Sequence, residues 1–511
     1  MYKLLLCLRY LRTRYIALAS IVSVMLGVAT MIVVNAVMSG FTTEMQNRIH
    51  GILSDVVVES RSLDGFANAE WHMDRLRAAA GPWIEGMTAT VVVPAMLSFR
   101  VGDSWHTRQV QLIGIDEQTH GEVSDFSKYL QHPENRVQLS FQLRAGGYDV
   151  RDHQAGPEAP PRTQMVQAGW EHRRAMAEIR AVQRALIEPH RSVERAGQSA
   201  TPTLPDDPFA QARNEENVFD PARQQHTGAI LGIAIASFRN HEGKDRFVVL
   251  PGDDVILTMP TALNADRPLT GVSDNFTIVD FYESKMSEYD ASFVFVPIRK
   301  LQELRAMHDP STGVVKVNSI QIKLKPGADG ALVRDRLRAV LPPEAYGVFT
   351  WRDKQGPLLA AVQMETAILN VLLFLIIAVS GFGILAIFFM IVVEKTRDIG
   401  ILKSLGAPGA GIMNIFLAYG LSLGLVGSGV GLATGLCLVH YINEIAGLLG
   451  QLTGRPVFDP TIYYFYKIPT LVDPWTVFWI VLGAVVIAVL ASVLPAIRAA
   501  MLHPVEALRY E

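Results

Sequence analysis

Long apolar runs, nearly free of charged residues, occur near the start of the chain and three times in its last third. They cover residues 15–38, 366–393, 409–442 and 473–497. Each run is long enough to cross the roughly 30 Å hydrocarbon layer of a bilayer as a helix. A cleaved signal peptide is the rival interpretation of the first run, but its apolar part would be shorter. We therefore predict four transmembrane helices.

Between the first and second runs the apolar residues alternate with polar ones, as in half-buried strands. We predict strands at residues 55–59, 88–101, 106–115, 247–250, 255–259, 276–281, 291–297 and 319–324. Helices are predicted at residues 69–80, 298–307 and 330–340, and the first membrane helix is expected to continue through residues 42–53. Residues 39–356 should therefore form a large α+β domain.

One part of this domain has a different composition. Residues 146–226 are rich in Pro, Arg, Gln, Glu and Ala, with a helix-like run at 164–187. We interpret them as a polar insertion, partly disordered, that acts as a solvated spacer. Its arginines alternate with acids, and the whole chain has a net charge of −3, so a nucleic-acid partner is not expected.

Basic residues indicate how the chain is oriented. They are concentrated in residues 1–14 and 394–408, and by the positive-inside rule both segments, with residues 498–511, should face the cytoplasm. The domain of residues 39–356 and the loop of residues 443–472 should then lie outside. Only two cysteines occur, which excludes a disulfide framework.

Small residues recur at helical spacing inside two of the runs, where they let a neighbouring helix approach closely. The predicted packing residues are Ser20, Ser23, Gly27, Gly420, Gly424, Gly431 and Gly435.

The short segment of residues 394–408 joins the second and third runs, so it turns around at one membrane face. Ile401, Leu402 and Leu405 form one helical stripe, and Gly406 should end the helix. Two interpretations stay open. The stripe either docks in a groove of a soluble partner or lies among lipid headgroups.

The sequence contains no signature of catalysis or of a bound cofactor. It has no phosphate-binding loop, no HExxH, no GxSxG and no paired CxxC. His50, His72 and His106 are isolated, and Asp290 is expected to be a structural acceptor. No charge lies in the core of any span, which disfavours ion coupling. We predict a non-catalytic chain without a metal, so energy for work has to come from another protein.

Four motifs carry a resemblance to a known family. They are residues 11–41, 282–297, 394–407 (EKTRDIGILKSLGA) and 494–511. With the arrangement of one span, an outer domain and three spans, they resemble ABC transporter permeases of the MacB/FtsX/LolC–LolE group, nearest to the lipoprotein-releasing permeases. The resemblance implies a multi-pass protein of the bacterial inner membrane with a large periplasmic domain. The implied function is extraction of lipoproteins for transfer to a periplasmic carrier and the outer membrane. An FtsX-like transmitter that controls a cell-wall hydrolase and a MacB-like efflux permease are the alternatives.

The resemblance also implies partners and site residues. The partners are a LolD-like ATPase that uses ATP and Mg, a second permease copy or paralogue, the lipoprotein cargo, a soluble carrier and membrane lipids. The implied coupling residues are Glu394, Lys395, Arg397, Asp398, Ile399, Ile401, Leu402, Lys403, Leu405 and Gly406. The implied acyl-chain contacts are Met38, Phe41, Met45, Val362, Leu369 and Leu373, and the implied carrier hook is Pro260, Asn264, Arg267, Pro268 and Leu269.

Overall fold

The computed structural model describes residues 15–62, 64–102, 104–154, 160–195, 219–239, 245–261, 271–308, 313–453 and 467–503. The chain divides into two compact units. One contains residues 47–355, and the other contains residues 1–46 and 356–511.

The α-helices, in chain order, are α1 (Tyr15–Ile52), α2 (Ala69–Ala80), α3 (His120–Val123), α4 (Pro133–Val137), α5 (Trp170–Arg195), α6 (Ile233–Ala236), α7 (Ser287–Asp290), α8 (Ile298–Leu304), α9 (Gly330–Val340), α10 (Trp351–Lys354), α11 (Gly356–Glu394), α12 (Thr396–Ser404), α13 (Gly409–His440), α14 (Ile442–Thr453) and α15 (Pro474–Met501). The strands are β1 (Val56–Ser60), β2 (Phe66–Ala67), β3 (Ile84–Val101), β4 (Ser104–Ile115), β5 (Thr227–Gly232), β6 (Ser237–Arg239), β7 (Asp245–Phe247), β8 (Asp254–Pro260), β9 (Gly271–Tyr282), β10 (Phe293–Pro297), β11 (Lys316–Val317), β12 (Ser319–Leu324) and β13 (Tyr346–Thr350).

Four helices in the described residues are long and apolar enough to cross a membrane, namely α1, α11, α13 and α15. They agree with the four predicted spans, and α1 continues to Ile52 as expected. The fourth span begins where Asp473 accepts hydrogen bonds from the backbone N–H groups of Trp475 and Thr476. The interior of this unit is a continuous apolar cluster that includes Ile32 and Phe388.

The other unit is built on a nine-stranded sheet, counted over the described residues, with the order β13-β1-β12-β3-β4-β10-β5-β9-β8. Strand β3 also pairs with β8, so the six strands from β3 to β8 in that order close into a ring. The β3–β4 hairpin turns at Gly102, whose φ of 60° favours glycine. An apolar cluster fills this unit, with Leu97 and Phe276 fully buried.

Several predicted elements need correction. Residues 247–250 are not a strand, because β7 ends at Phe247 and the carboxylate of Asp253 accepts the backbone N–H of Leu250 in a turn. Helix α8 ends at Leu304 rather than at residue 307, because Ala306 adopts a φ of 54°. The segment of residues 443–472, predicted as a loop, contains most of α14, and β13 was not predicted at all.

The interpretation of residues 146–226 as a solvated spacer is wrong for the part that the structure describes. The Tyr148 hydroxyl donates to the carbonyl oxygen of Val279 over 2.7 Å. Arg162 and Arg173 are buried among carboxylates and carbonyl oxygens of the sheet unit. The polar composition misled the prediction because the anchoring residues are charged and yet buried.

Candidate functional site

The segment between the second and third spans forms a short helix, α12, as predicted. It follows α11 after a break at Lys395, and the Thr396 hydroxyl donates to the carbonyl oxygen of Val392. Gly406 ends the segment with a φ of 92°, a backbone conformation that residues other than glycine rarely adopt. Pro408 then caps α13. The position of the turn is therefore determined by local sequence.

The apolar residues of this segment divide into two groups. Ile401, Leu402 and Leu405 are exposed by 43%, 38% and 80%. Ile399 is only 4% exposed and belongs to the apolar cluster of the membrane helices. We call Ile401, Leu402 and Leu405 the connector stripe. A helix face with these three apolar side chains exposed is suited to dock against a partner.

The charged residues of the segment have different surroundings. The Lys395 ammonium lies 2.7 Å from a carboxylate oxygen of Asp398, a pair three residues apart on the same segment. Glu394 and Arg397 are exposed. Lys403 instead donates to two backbone carbonyl oxygens at the end of α15, those of Ala500 and Leu502. Its side chain is therefore directed toward the chain's own membrane helices.

The predicted packing glycines lie where helices come closest. A Cβ added to Gly420 or Gly424 would lie within 3.0 Å of α15 atoms, those of Ser492 and Ala488 respectively. A Cβ at Gly431 would come within 2.8 Å of α1, and one at Gly435 within 3.2 Å. The glycine row of α13 therefore packs on α15 in its first half and on α1 in its second half.

Two of the small residues of the first span, Ser23 and Gly27, lie close to the second span. A Cβ at Gly27 would lie 3.4 Å from Ile377. The Ser380 hydroxyl lies 3.4 Å from the carbonyl oxygen of Ser23, and Ser20 is fully buried.

The predicted acyl-chain contacts differ in exposure. Met45, Val362 and Leu373 are buried, whereas Met38, Phe41 and Leu369 are partly exposed. A role of these residues in lipid contact stays a prediction.

Of the predicted carrier hook, only Pro260 is described, and it is the last residue of β8. Asn264, Arg267, Pro268 and Leu269 lie outside the described residues. A shallow groove of about 320 Å³ beside Pro260 is lined by apolar residues that include Met96 and Met259.

A buried charged cluster in the sheet unit was not predicted. The Arg162 guanidinium donates two hydrogen bonds of 2.7 Å to Glu283, and Lys285 bonds to both Glu283 and Asp152. Burial alone would raise the pKa of Glu283, but the two cations lower it to about 2. Arg162 belongs to the insertion, whereas Glu283 and Lys285 belong to the motif of residues 282–297, so these bonds join the two.

Asp290 accepts hydrogen bonds from the backbone N–H groups of Ser284 and Lys285 and from the Ser284 hydroxyl. Burial raises its pKa to about 7. It is a structural acceptor, as predicted.

No group of three or more potential metal ligands occurs among the described residues. His72 lies 2.7 Å from the Tyr346 hydroxyl, and His50 pairs with Asp55.

Comparisons with known proteins identify a family model and several related permeases. A family model described as FtsX-like permease C-terminal matches residues 370–504, which include α12. The lipoprotein-releasing system transmembrane protein LolC of Xylella fastidiosa (strain 9a5c) is 30% identical over 300 residues, which are 58% of this chain and 71% of the relative.

Two further relatives share less of their length. LolE of the same releasing system, from Haemophilus influenzae, is 28% identical over 166 residues, 32% of this chain and 40% of the relative. The macrolide export ATP-binding/permease protein MacB of Bdellovibrio bacteriovorus is 27% identical over 205 residues, 38% of this chain and 28% of the relative.

Proposed function

Because the chain belongs to the MacB/FtsX/LolC–LolE group of ABC transporter permeases, we propose that it is the membrane subunit of an ATP-driven system that extracts lipoproteins from the inner membrane. A separate LolD-like ATPase supplies ATP hydrolysis with Mg. A second permease copy or paralogue completes the pair. The sheet unit faces the periplasm and passes the lipoprotein to a soluble carrier.

The connector stripe is the observation on which this proposal rests. Ile401 and Leu402 on α12 and Leu405 at its C-cap are exposed, whereas Ile399 on the same helix is buried. Fully burying an exposed side chain of this kind is worth about 1.5–3 kcal/mol. Leu405, 80% exposed, would gain most of this in a partner's groove, and Ile401 and Leu402 would gain less than half of it. The stripe is therefore the natural contact for the ATPase.

Energy from outside the chain is needed for this work. Removing acyl chains from a bilayer exposes methylene groups at a cost of about 0.8 kcal/mol each. A lipoprotein anchor with two or three acyl chains contains many such groups, so passive binding does not supply enough. ATP-driven movement that reaches the spans through α12 would supply it.

The docking step is tested with Ile401→Asp and Leu405→Asp. An aspartate in a buried groove leaves a desolvated charge, so each variant should lose the ATPase on co-purification while still inserting in the membrane. Val137→Asp is the matched control, because Val137 is 91% exposed in the sheet unit. If the Ile401→Asp permease still retains its ATPase at the wild-type level, the docking assignment is wrong.

The cargo is tested by depletion in cells. Loss of the protein should leave lipoproteins in the inner membrane. Normal lipoprotein sorting after depletion would refute release as the function.

The FtsX-like family model favours a second candidate, a transmitter that controls a cell-wall hydrolase and moves no substrate. Photo-crosslinkers at Met38, Phe41 and Met45 distinguish the two. Lipoprotein acyl chains captured at these positions support extraction, whereas no capture together with a hydrolase defect supports the transmitter. A MacB-like exporter would instead protect cells from a drug or peptide without changing lipoprotein sorting.

A further inference from the structure

The side chain of Lys403 is bound to the end of the fourth span. Its ammonium nitrogen lies 2.6 Å from the carbonyl oxygen of Ala500 and 2.7 Å from that of Leu502. Helix α15 ends at Met501 and Leu502 is its C-terminal cap, so both carbonyl groups lie beyond the last helical hydrogen bonds. An ammonium group has three donors and favours the negative end of a helix dipole. The contact therefore satisfies two carbonyl groups that have no partner within helix α15.

Two neighbouring contacts hold the same region together. A Cβ at Gly409, the first residue of α13, would lie 3.0 Å from the carbonyl oxygen of Ala500. Ile399 belongs to the same apolar cluster as Ala496 and Ala499, which are fully buried in the last turns of α15. We call the segment of residues 394–408 the connector. The connector and the adjoining first residue of α13 share with the end of α15 an apolar contact region, a close backbone approach and a charged hydrogen bond.

We propose that Lys403 is a positioning residue that fastens α12 to the end of the fourth span. The connector joins only α11 and α13 through the chain itself. With Lys403 attached, a force on the connector stripe reaches α15 through two hydrogen bonds as well as through the packing of Ile399 and Gly409. This rests on the proposed function and changes one expectation, since Lys403 then acts within the permease rather than on the ATPase.

The test uses the full chain with its ATPase in lipid nanodiscs. Spin labels are attached at Ser404→Cys and Met501→Cys, two exposed positions that flank the contact, in a chain whose Cys7 and Cys437 are serine. Their dipolar broadening reports whether α12 stays beside the end of α15. Lys403→Met keeps the aliphatic stem and removes the donors. This variant should raise the fraction of molecules in which α12 is separated from the end of α15 about tenfold or more, because a charge-assisted hydrogen bond is lost.

The second measurement is lipoprotein released per ATP hydrolysed. We expect Lys403→Met to retain the ATPase but to lower this ratio, and Lys403→Arg to restore it because a guanidinium also donates to carbonyl groups. Arg498→Met is the matched control. It removes a cation from the same end of α15, where Arg498 stacks on Phe389, and should leave the dipolar broadening unchanged.

Two results would overturn the inference. One is unchanged broadening in Lys403→Met. The other is loss of the ATPase to the same extent as in Ile401→Asp, which would make Lys403 a docking contact. If the wild-type complex releases no lipoprotein, the proposed function is wrong, but the spin-label comparison still decides the role of Lys403.

Discussion

Replacing Gly431 by alanine tests the close packing of the third span on the first. A Cβ at this position would lie 2.8 Å from the carbonyl oxygen of Met25, 2.9 Å from the Cβ of Val28 and 3.1 Å from the Cα of Met25. Two of these atoms belong to the backbone of α1. They cannot rotate away, so the two helices have to separate.

Two opposing effects determine how much the free energy of unfolding changes in Gly431→Ala. Overpacking in a well-packed interior costs about 1–3 kcal/mol, because carbon atoms prefer separations of about 3.5–4.0 Å. Alanine in place of glycine inside a helix gains up to about 1 kcal/mol. Gly429 on the same helix has nothing within 4 Å of an added Cβ. Gly429→Ala should therefore gain helix stability without overpacking. The free energies of unfolding of Gly431→Ala and Gly429→Ala should differ by about 1–3 kcal/mol.

The free energy of unfolding is measured by titrating the purified full-length chain with SDS in mixed micelles and following tryptophan fluorescence. Gly431→Ala should unfold at a lower SDS fraction than Gly429→Ala. Equal midpoints, or a more stable Gly431→Ala, would refute the inference that α13 approaches α1 through this glycine.

Two further predictions concern stability. Because the pKa of Glu283 is lowered, its ion pair should contribute stability that is full above the ordinary carboxyl range and is lost as pH falls toward about 2. Arg162→Met should cost about 3 kcal/mol and weaken this pH dependence in thermal unfolding, and an unchanged profile would contradict the pairing. Gly40→Ala should speed tryptic cleavage at Lys467, because its Cβ would lie 2.4 Å from the backbone of the segment that leads into α15. Gly383→Ala, with nothing within 4 Å of its Cβ, is the control, and equal cleavage rates in the two variants would argue against the contact.

The elements that could be predicted are those with local signals. The helices predicted at residues 69–80 and 330–340 have the same bounds in the structure. In the second, Asp329 accepts the backbone N–H of Ala331 at the N-cap, a contact within three residues of sequence. Apolar runs long enough for a membrane are equally local. These features do not depend on the rest of the fold, so one sequence was sufficient.

The buried charges could not be predicted because their partners are distant in sequence. Arg162 and Glu283 are 121 residues apart. In the sequence, Arg162 is one arginine among several in a polar stretch, and composition does not distinguish a buried arginine from a solvated one. The insertion lies beside residue 283 only in the folded chain, where Arg162 and Gln154 contact Glu283. The spacer interpretation was therefore wrong where the contacts of the insertion are long-range in sequence.

The segment of residues 394–408 contains, within ten residues, both a feature with a local sequence signal and a contact without one. Helical periodicity was enough to identify Ile401, Leu402 and Leu405 as one stripe, and the structure leaves all three exposed. The attachment of Lys403 had no such signal, because its partners are backbone carbonyl groups, which every residue has. The exposed stripe offers a contact for a partner, and the hydrogen bonds of Lys403 add to the packing of Ile399 in joining the segment to the end of α15. The two features together support the proposal that the segment receives force from an ATPase and passes it to the fourth span.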